Sequence, residues 1–386
     1  MILFERKAID WITEHKEILF FLCISVLAGL LRVCGKDFVS GDMSFCLLPW
    51  YDHIKEAGGI KALGQQTGDY NLLYQTIIAI FTYIPIKSIY LYKAFSIIFD
   101  YVLAIVCSIA LTDNYPWKKI DMRFNLVYAS ILLTPTVFLN SGYWGQCDVV
   151  YTSFVLLTIL FLYREKYKTA FVMLGIAFSF KLQTIFIVPF VVALYFKKKN
   201  FSLLNFLISI AVFEASGILC YFQGRSIWEP FKLYLNQTNT YSSMWLNVPS
   251  FWWLVGYDYA NLKICAILFS VILCGVGLYL IMSNKSEIIT LEDHLSVAAW
   301  FVWTCLLFLP AMHERYTFPL DILLILLSFL DKKYLKYAIY SLASSLITYG
   351  QYLFGNQSIN MFMVLIYIFL YVCFSVKIFT KNPKNI

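Results

Sequence analysis

The stretch LSVAAWFVWTCLLFLPAMHERYTFPLDILLILLSFL, Leu295 to Leu330, decides the fold. Leu295 to Ala311 carries no charge, and from Thr317 to Leu330 Asp321 is the only one. Between them sits Met312-His313-Glu314-Arg315-Tyr316. Apolar runs of this kind read as membrane helices. His, Glu and Arg are costly near a bilayer, so by default they mark a function. The pentad is read as part of a site for an anionic, lipid-linked ligand at the outer face of a membrane.

Composition agrees over the whole chain. Hydrophobic residues make up 60 % of the 386 and charged residues 14 %. A soluble globule carries about 25 % charge, so that class is excluded. The length fits about twelve membrane helices of roughly 20 residues each. The net charge of +7 does not point to nucleic acid, because Lys and Arg fall in short patches between apolar runs. The expected fold is therefore all-α and polytopic, a single integral membrane domain over 1–386. A first outer loop, 35–88, contains interfacial helices, and a second large outer loop covers 223–262. The ten Cys show no ligand spacing, and no metal site is expected from them. Cys34 and Cys46 could pair across the first loop, but buried free thiols are the commoner case.

The chain threads as follows. Phe4 to Lys16 reads as an interfacial helix on the cytoplasmic side, and the first span is Ile18 to Cys34. Leu72 to Ile84 is too short to cross and reads as a helix in the outer interface. Basic patches then fall on alternate turns: Lys118, Lys119 and Arg123; Arg164, Lys166 and Lys168; Lys197 to Lys199; Lys285; Lys332, Lys333 and Lys336; Lys377, Lys381 and Lys384. Placing them inside obeys the positive-inside rule. Both termini are then cytoplasmic, in a multi-pass plasma-membrane protein. No internal repeat of the kind found in many transporters is visible.

Four polar groups fall on the outer side in this threading. They are Ser40-Gly41-Asp42-Met43 with Gly68-Asp69-Tyr70-Asn71; Tyr143-Trp144-Gly145-Gln146-Cys147-Asp148; Lys181-Leu182-Gln183 at a hairpin tip; and the pentad. The arms of the hairpin are too short to lift Lys181 clear of a core about 30 Å thick. A cation at that depth needs an anionic partner or a wet cavity. Arg315 has the same need, and guanidinium suits phosphate oxygens. The other reading is an internal ion pair, of Arg315 with Glu314 or Asp148. Asp42 is the candidate base for an attacking hydroxyl. Asp69 is a second candidate or a helix N-cap, and Asp148 a supporting acid or a structural one. Trp245, Trp252 and Trp253 suggest an interfacial belt or sugar stacking. Asp100 and Glu214, in mid-span, are read as polar partners within the bundle.

These residues together resemble the GT-C glycosyltransferases, closest to the bacterial relatives of the GPI mannosyltransferases. The resemblance rests on Gly41-Asp42, Trp144-Gly145-Gln146-Cys147-Asp148, Lys181 with Gln183, and Met312 to Tyr316 followed by Pro319. It covers the layout of spans and loops over nearly the whole chain, although the motifs cover few residues. It implies inverting transfer of one sugar from a polyprenyl-phosphate donor to a cell-envelope glycan or glycolipid. Asp42 would be the base. Arg315, Lys181, Gln183, His313 and Tyr316 would hold the donor phosphate. Asp148, Gln146, Trp144, Asp69 and Glu314 would support them. No cofactor is expected; some relatives use a divalent metal, for which Asp42 and Asp148 offer too few ligands. The chain departs from the family in lacking a Pro within Gly68 to Tyr74 and in having no soluble C-terminal domain. A lipid-linked glycan flippase and a non-catalytic subunit of an envelope complex are the rival readings.

Overall fold

The computed structural model describes residues 2–113, 120–284, 287–355 and 359–380. Lys118, Lys119, Lys285, Lys381 and Lys384, used above to orient the chain, lie outside the described residues. The described chain is all helix, with only isolated bridges where Leu246 and Asn247 meet His313.

The first half runs α1 Leu3–Val33, α2 Leu48–Glu56, α3 Leu72–Phe81, α4 Ser88–Thr112, α5 Met122–Leu132, α6 Pro135–Phe138, α7 Asp148–Tyr163, α8 Tyr167–Phe180 and α9 Val188–Lys198. The second runs α10 Phe206–Ala215, α11 Ile218–Phe222, α12 Glu229–Gln237, α13 Trp252–Val255, α14 Tyr259–Ser283, α15 Leu291–Phe308, α16 Phe318–Leu330, α17 Leu335–Phe354 and α18 Met361–Phe379. Local chemistry sets several starts. Asp121, Asn71 and Asn360 cap α5, α3 and α18 with their side chains, and Thr290 with Asp293 forms a capping box before α15.

α4, α14, α15 and α18 are long and apolar enough to cross a membrane, and a fifth span results if the bent pair 122–132 and 135–144 counts as one. The bend is 53°, at Pro135, which has no N–H to continue the ladder. Among the described residues the helices of that length and apolarity number four or five, where about twelve spans are expected. α3, α7, α8 and the 203–215 segment are apolar but 10–17 residues long, so at 1.5 Å per residue they reach about 15–26 Å. The N-terminus also departs from expectation: the interfacial helix and the first span form one continuous α1. The helix N-cap near Asp69 is Asn71, not Asp69. All ten Cys are free, Cys34 and Cys46 included.

The core lies where α7, α15 and α16 meet. α15 is buried on every face and α7 on nearly every face. α4 with α5, and α8 with α10, pack around this centre, while α14 and α18 turn broad apolar faces outward. Outward apolar faces are stable only in lipid, so the chain is a membrane protein.

A fully buried polar tie holds the centre, and a half-buried one sits at the end of α10. Arg32 Nε donates to Asp100 Oδ2 at 2.6 Å, with both side chains fully buried. Arg32 also donates to the carbonyls of Ala28 and Leu132, and Ser141 Oγ donates to Asp100. Thus Asp100 joins the end of α1 to the 139–144 turn. Glu214 accepts from Tyr221 Oη at 2.5 Å. Both mid-span acids therefore have partners inside the bundle.

Candidate active site

The site begins with two turns wound one residue wide. Met43–Leu47 and Leu139–Trp144 are π-helical. Such turns are rare and concentrate at functional sites. Ser40 Oγ accepts from Met43 N at 3.2 Å and donates to the Trp144 carbonyl at 3.0 Å, so one serine starts the first turn and ties it to the second. Gly145 closes the second turn at φ +75°, and a Cβ there would stand 2.4 Å from Met43 Cε. The left-handed backbone favours glycine there, and the methyl in contact is the flexible end of Met43.

A third tie comes from α4. The Lys93 ammonium is buried and donates to the carbonyls of Gly35 and Phe38 at 2.6 Å and of Lys36 at 3.2 Å. These carbonyls lie just past the end of α1, and all three ammonium protons are used on them. The chain leading to Asp42 is thereby held from below.

Asp42 is the hub. Its Oδ2 accepts from Trp144 Nε1 at 3.0 Å, Gln146 Nε2 at 2.6 Å and Arg315 Nη1. Its Oδ1 accepts from Tyr352 Oη at 2.5 Å. Burial pushes the Asp42 carboxyl up. The Arg315 charge and the Tyr352 and Trp144 hydrogen bonds outweigh burial and hold the group below the ordinary carboxylate range. Gln146 is fixed in turn by Tyr70 Oη at 2.7 Å.

Lys181 follows α8 in extended backbone, before a 3₁₀ turn over Leu182–Ile187. Its ammonium pairs with Asp148 Oδ1, while Asn140 Nδ2 donates to Asp148 Oδ2 at 3.0 Å. The rings of Tyr70, Tyr151 and Tyr316 surround the ammonium at 5.6–6.0 Å. Both site cations therefore have internal carboxylate partners, Asp42 and Asp148, rather than Glu314. Arg315 keeps a buried Nε without a hydrogen-bond partner. Glu314 is 1 % exposed, and neither of its oxygens has a hydrogen-bond partner.

These groups open on one cavity of about 560 Å³. Asp42, Asp69, Gln146, Lys181, Gln183, Arg315 and Tyr316 line it. Trp144 and Asp148 stand behind Asp42 and Lys181. His313 and Glu314 also stand off the cavity surface. His313 packs its ring on Tyr241 at 4.4 Å, with Nδ1 3.9 Å from Glu314. The pentad's approach is shaped by the second loop, where Leu246 N donates to the Met312 carbonyl and Ala311 N to the Met244 carbonyl. Trp245, Trp252 and Trp253 do not line the cavity. Trp252 Nε1 donates to the Phe308 carbonyl at 2.6 Å, and Trp245 packs beside Trp253 and Tyr257.

Asp69 also lines the cavity, near the same cations, and its backbone carbonyl accepts from Gln237. Burial pushes its carboxyl up, against weaker lowering by Arg315 and Lys181. One cavity thus holds two carboxyls with opposed shifts. The rest of the wall is mixed: Gln237, Thr238, Thr240, Tyr241 and Lys263 are polar, whereas Ile185, Phe186 and Pro189, with Ile267, Val271 and Cys274 of α14, are apolar. Ile185, Ile267 and Val271 are also exposed on the outer surface of the bundle.

Tyr352 and Lys93 carry no mark in the sequence that singles them out. Tyr352 is one of 28 tyrosines. Asn140 alone had a signal, lying close to the Trp144 motif. No protein-family model matches this chain, and no curated protein matches it.

Proposed function

We propose that this chain is an inverting GT-C-type glycosyltransferase that moves one sugar from a polyprenyl-phosphate donor to an envelope glycan or glycolipid. The observation that carries the reading is the composition of the cavity. Arg315, Lys181 and two carboxyls share its lining with apolar residues of α14 that are exposed on the outer surface of the bundle. A ligand with a phosphate head and a long apolar tail matches both features.

In this reading the donor phosphate lies against the Arg315 guanidinium and near Lys181 and Gln183. The acceptor hydroxyl attacks the anomeric carbon and gives its proton to Asp42. The bond from that carbon to the phosphate oxygen breaks, and the polyprenyl phosphate leaves with the electron pair. Negative charge grows on the phosphate as it departs, so fixed cations in a partly dry site lower the barrier. When the phosphate draws on Arg315, the Asp42 carboxylate loses its strongest hydrogen bond and becomes more basic. Asp69, which protonates more readily, is suited to hold the acceptor. In this reading about twelve segments cross a plasma membrane, with both termini inside and the cavity outside.

The test is purified protein in lipid nanodiscs with synthetic polyprenyl-phosphate sugars, scored for carrier release and for glycosylated acceptor. Asp42→Asn and Arg315→Ala should each abolish release. Full activity in Asp42→Asn with none in Asp69→Asn would move the base to Asp69. Transbilayer movement of the donor without release would favour a flippase.

A further inference from the structure

We infer that Tyr352 is a positioning residue for this site, and that Asp42 Oδ1 is the oxygen that takes the acceptor proton. The inference rests on the transfer reading above. Its basis is the division of hydrogen bonds between the two carboxylate oxygens. Oδ2 accepts from Trp144, Gln146 and Arg315. Those three donors fill that oxygen, and two remain even when Arg315 turns to a phosphate. Oδ1 accepts from Tyr352 alone. An ionised carboxylate oxygen has two lone-pair directions. With one filled by the tyrosine, the other is free and has a fixed direction.

The tyrosine is itself immobilised. Its ring lies on the Trp144 indole, centroid to centroid 4.4 Å with 15° between planes. The same indole donates to Asp42, so one stacked pair grips both oxygens. Gly41 provides the room, since a Cβ there would be 3.1 Å from Tyr352 Oη. The Gly preceding Asp42 is thus explained by a residue near the end of α17, more than 300 positions away in sequence.

A hydroxyl donated to a carboxylate favours its charged form. Tyr352→Phe keeps the ring stack and removes only that bond. The experiment is the pH dependence of carrier release, wild type against Tyr352→Phe, with the ¹³C-carboxyl titration of Asp42 measured in both. In the variant, the acid limb of kcat should move to higher pH by at least ~0.5 unit. The ¹³C titration should move the same way, and the donor KM should stay within about twofold, as expected for a group that does not bind the donor. Trp144→Phe removes a hydrogen bond from the other oxygen and should shift the limb in the same direction. An acid limb and ¹³C titration that both stay in place in Tyr352→Phe would overturn the inference, as would a rise in donor KM at unchanged kcat. A wild-type protein that releases no carrier would overturn the transfer reading instead. The ¹³C titration would then still decide whether Tyr352 governs Asp42.

Discussion

Asp100→Asn should destabilise this protein by several kcal/mol without touching the cavity. Arg32 and Asp100 are both fully buried, so neither water nor salt screens their interaction. In the variant the guanidinium keeps its bonds to the Ala28 and Leu132 carbonyls but loses its counter-charge. Ser141 also loses a charged acceptor. Breaking a buried pair by removing one partner costs about 3–5 kcal/mol, a large share of a total stability of about 5–15 kcal/mol. The double variant Arg32→Met/Asp100→Leu removes both charges and needs no partner, so it should recover most of the loss. The assay is reversible unfolding in mixed micelles, run as a double-mutant cycle. A loss under about 1 kcal/mol for Asp100→Asn, or a double variant as unstable as the sum of the singles, would refute the argument.

Other outcomes follow from named contacts. Asp42→Asn should keep the fold and lower carrier release by about 10²–10⁴-fold, the usual contribution of a positioned base. Gly68→Ala should cost more than the about 1–2 kcal/mol of a left-handed backbone, because its Cβ would lie 2.3 Å from Trp50 at φ +73°; Gly224→Ala, at φ +95° with open space, should cost only the backbone part. The two cavity carboxyls should show opposite pH signatures in unfolding experiments. Asp42 is lowered, so its stabilisation is complete above its unfolded pKa and is lost as pH falls through the folded value. Asp69 is raised, so it stabilises most below its unfolded pKa and that contribution is lost as pH rises through the folded value. Asp69→Asn should therefore gain stability relative to wild type at pH 8 and not at pH 3. Cysteines placed at Lys198 and at Tyr241 should label from opposite sides of sealed vesicles.

The helical class was legible in the sequence because long uncharged runs have few stable alternatives. The site was legible where polar residues broke those runs: Asp42, Gln146, Lys181 and Arg315 all reach one cavity. Span counting was less legible. The pair at Pro135 is broken and α7 and α8 are short, so apolar runs in the sequence do not map one to one onto long helices. Partner choice was not legible at all. Nothing local tells Arg315 to pair with Asp42 rather than with its neighbour Glu314, since that choice depends on backbone direction in a 3₁₀ turn. Tyr352 escaped for the opposite reason: it is a polar group of a common type on a mostly apolar helix, and only the tertiary fold brings it to Asp42.

Lys93 asks nothing of the side chains it holds. Its contacts are main-chain carbonyls at Gly35, Lys36 and Phe38, and every amino acid supplies such a carbonyl. The instruction that aims the Asp42 segment is therefore stored 58 residues downstream of Gly35, in α4. Transplanting residues 36–44 into another scaffold would carry the carboxylate and leave its alignment behind.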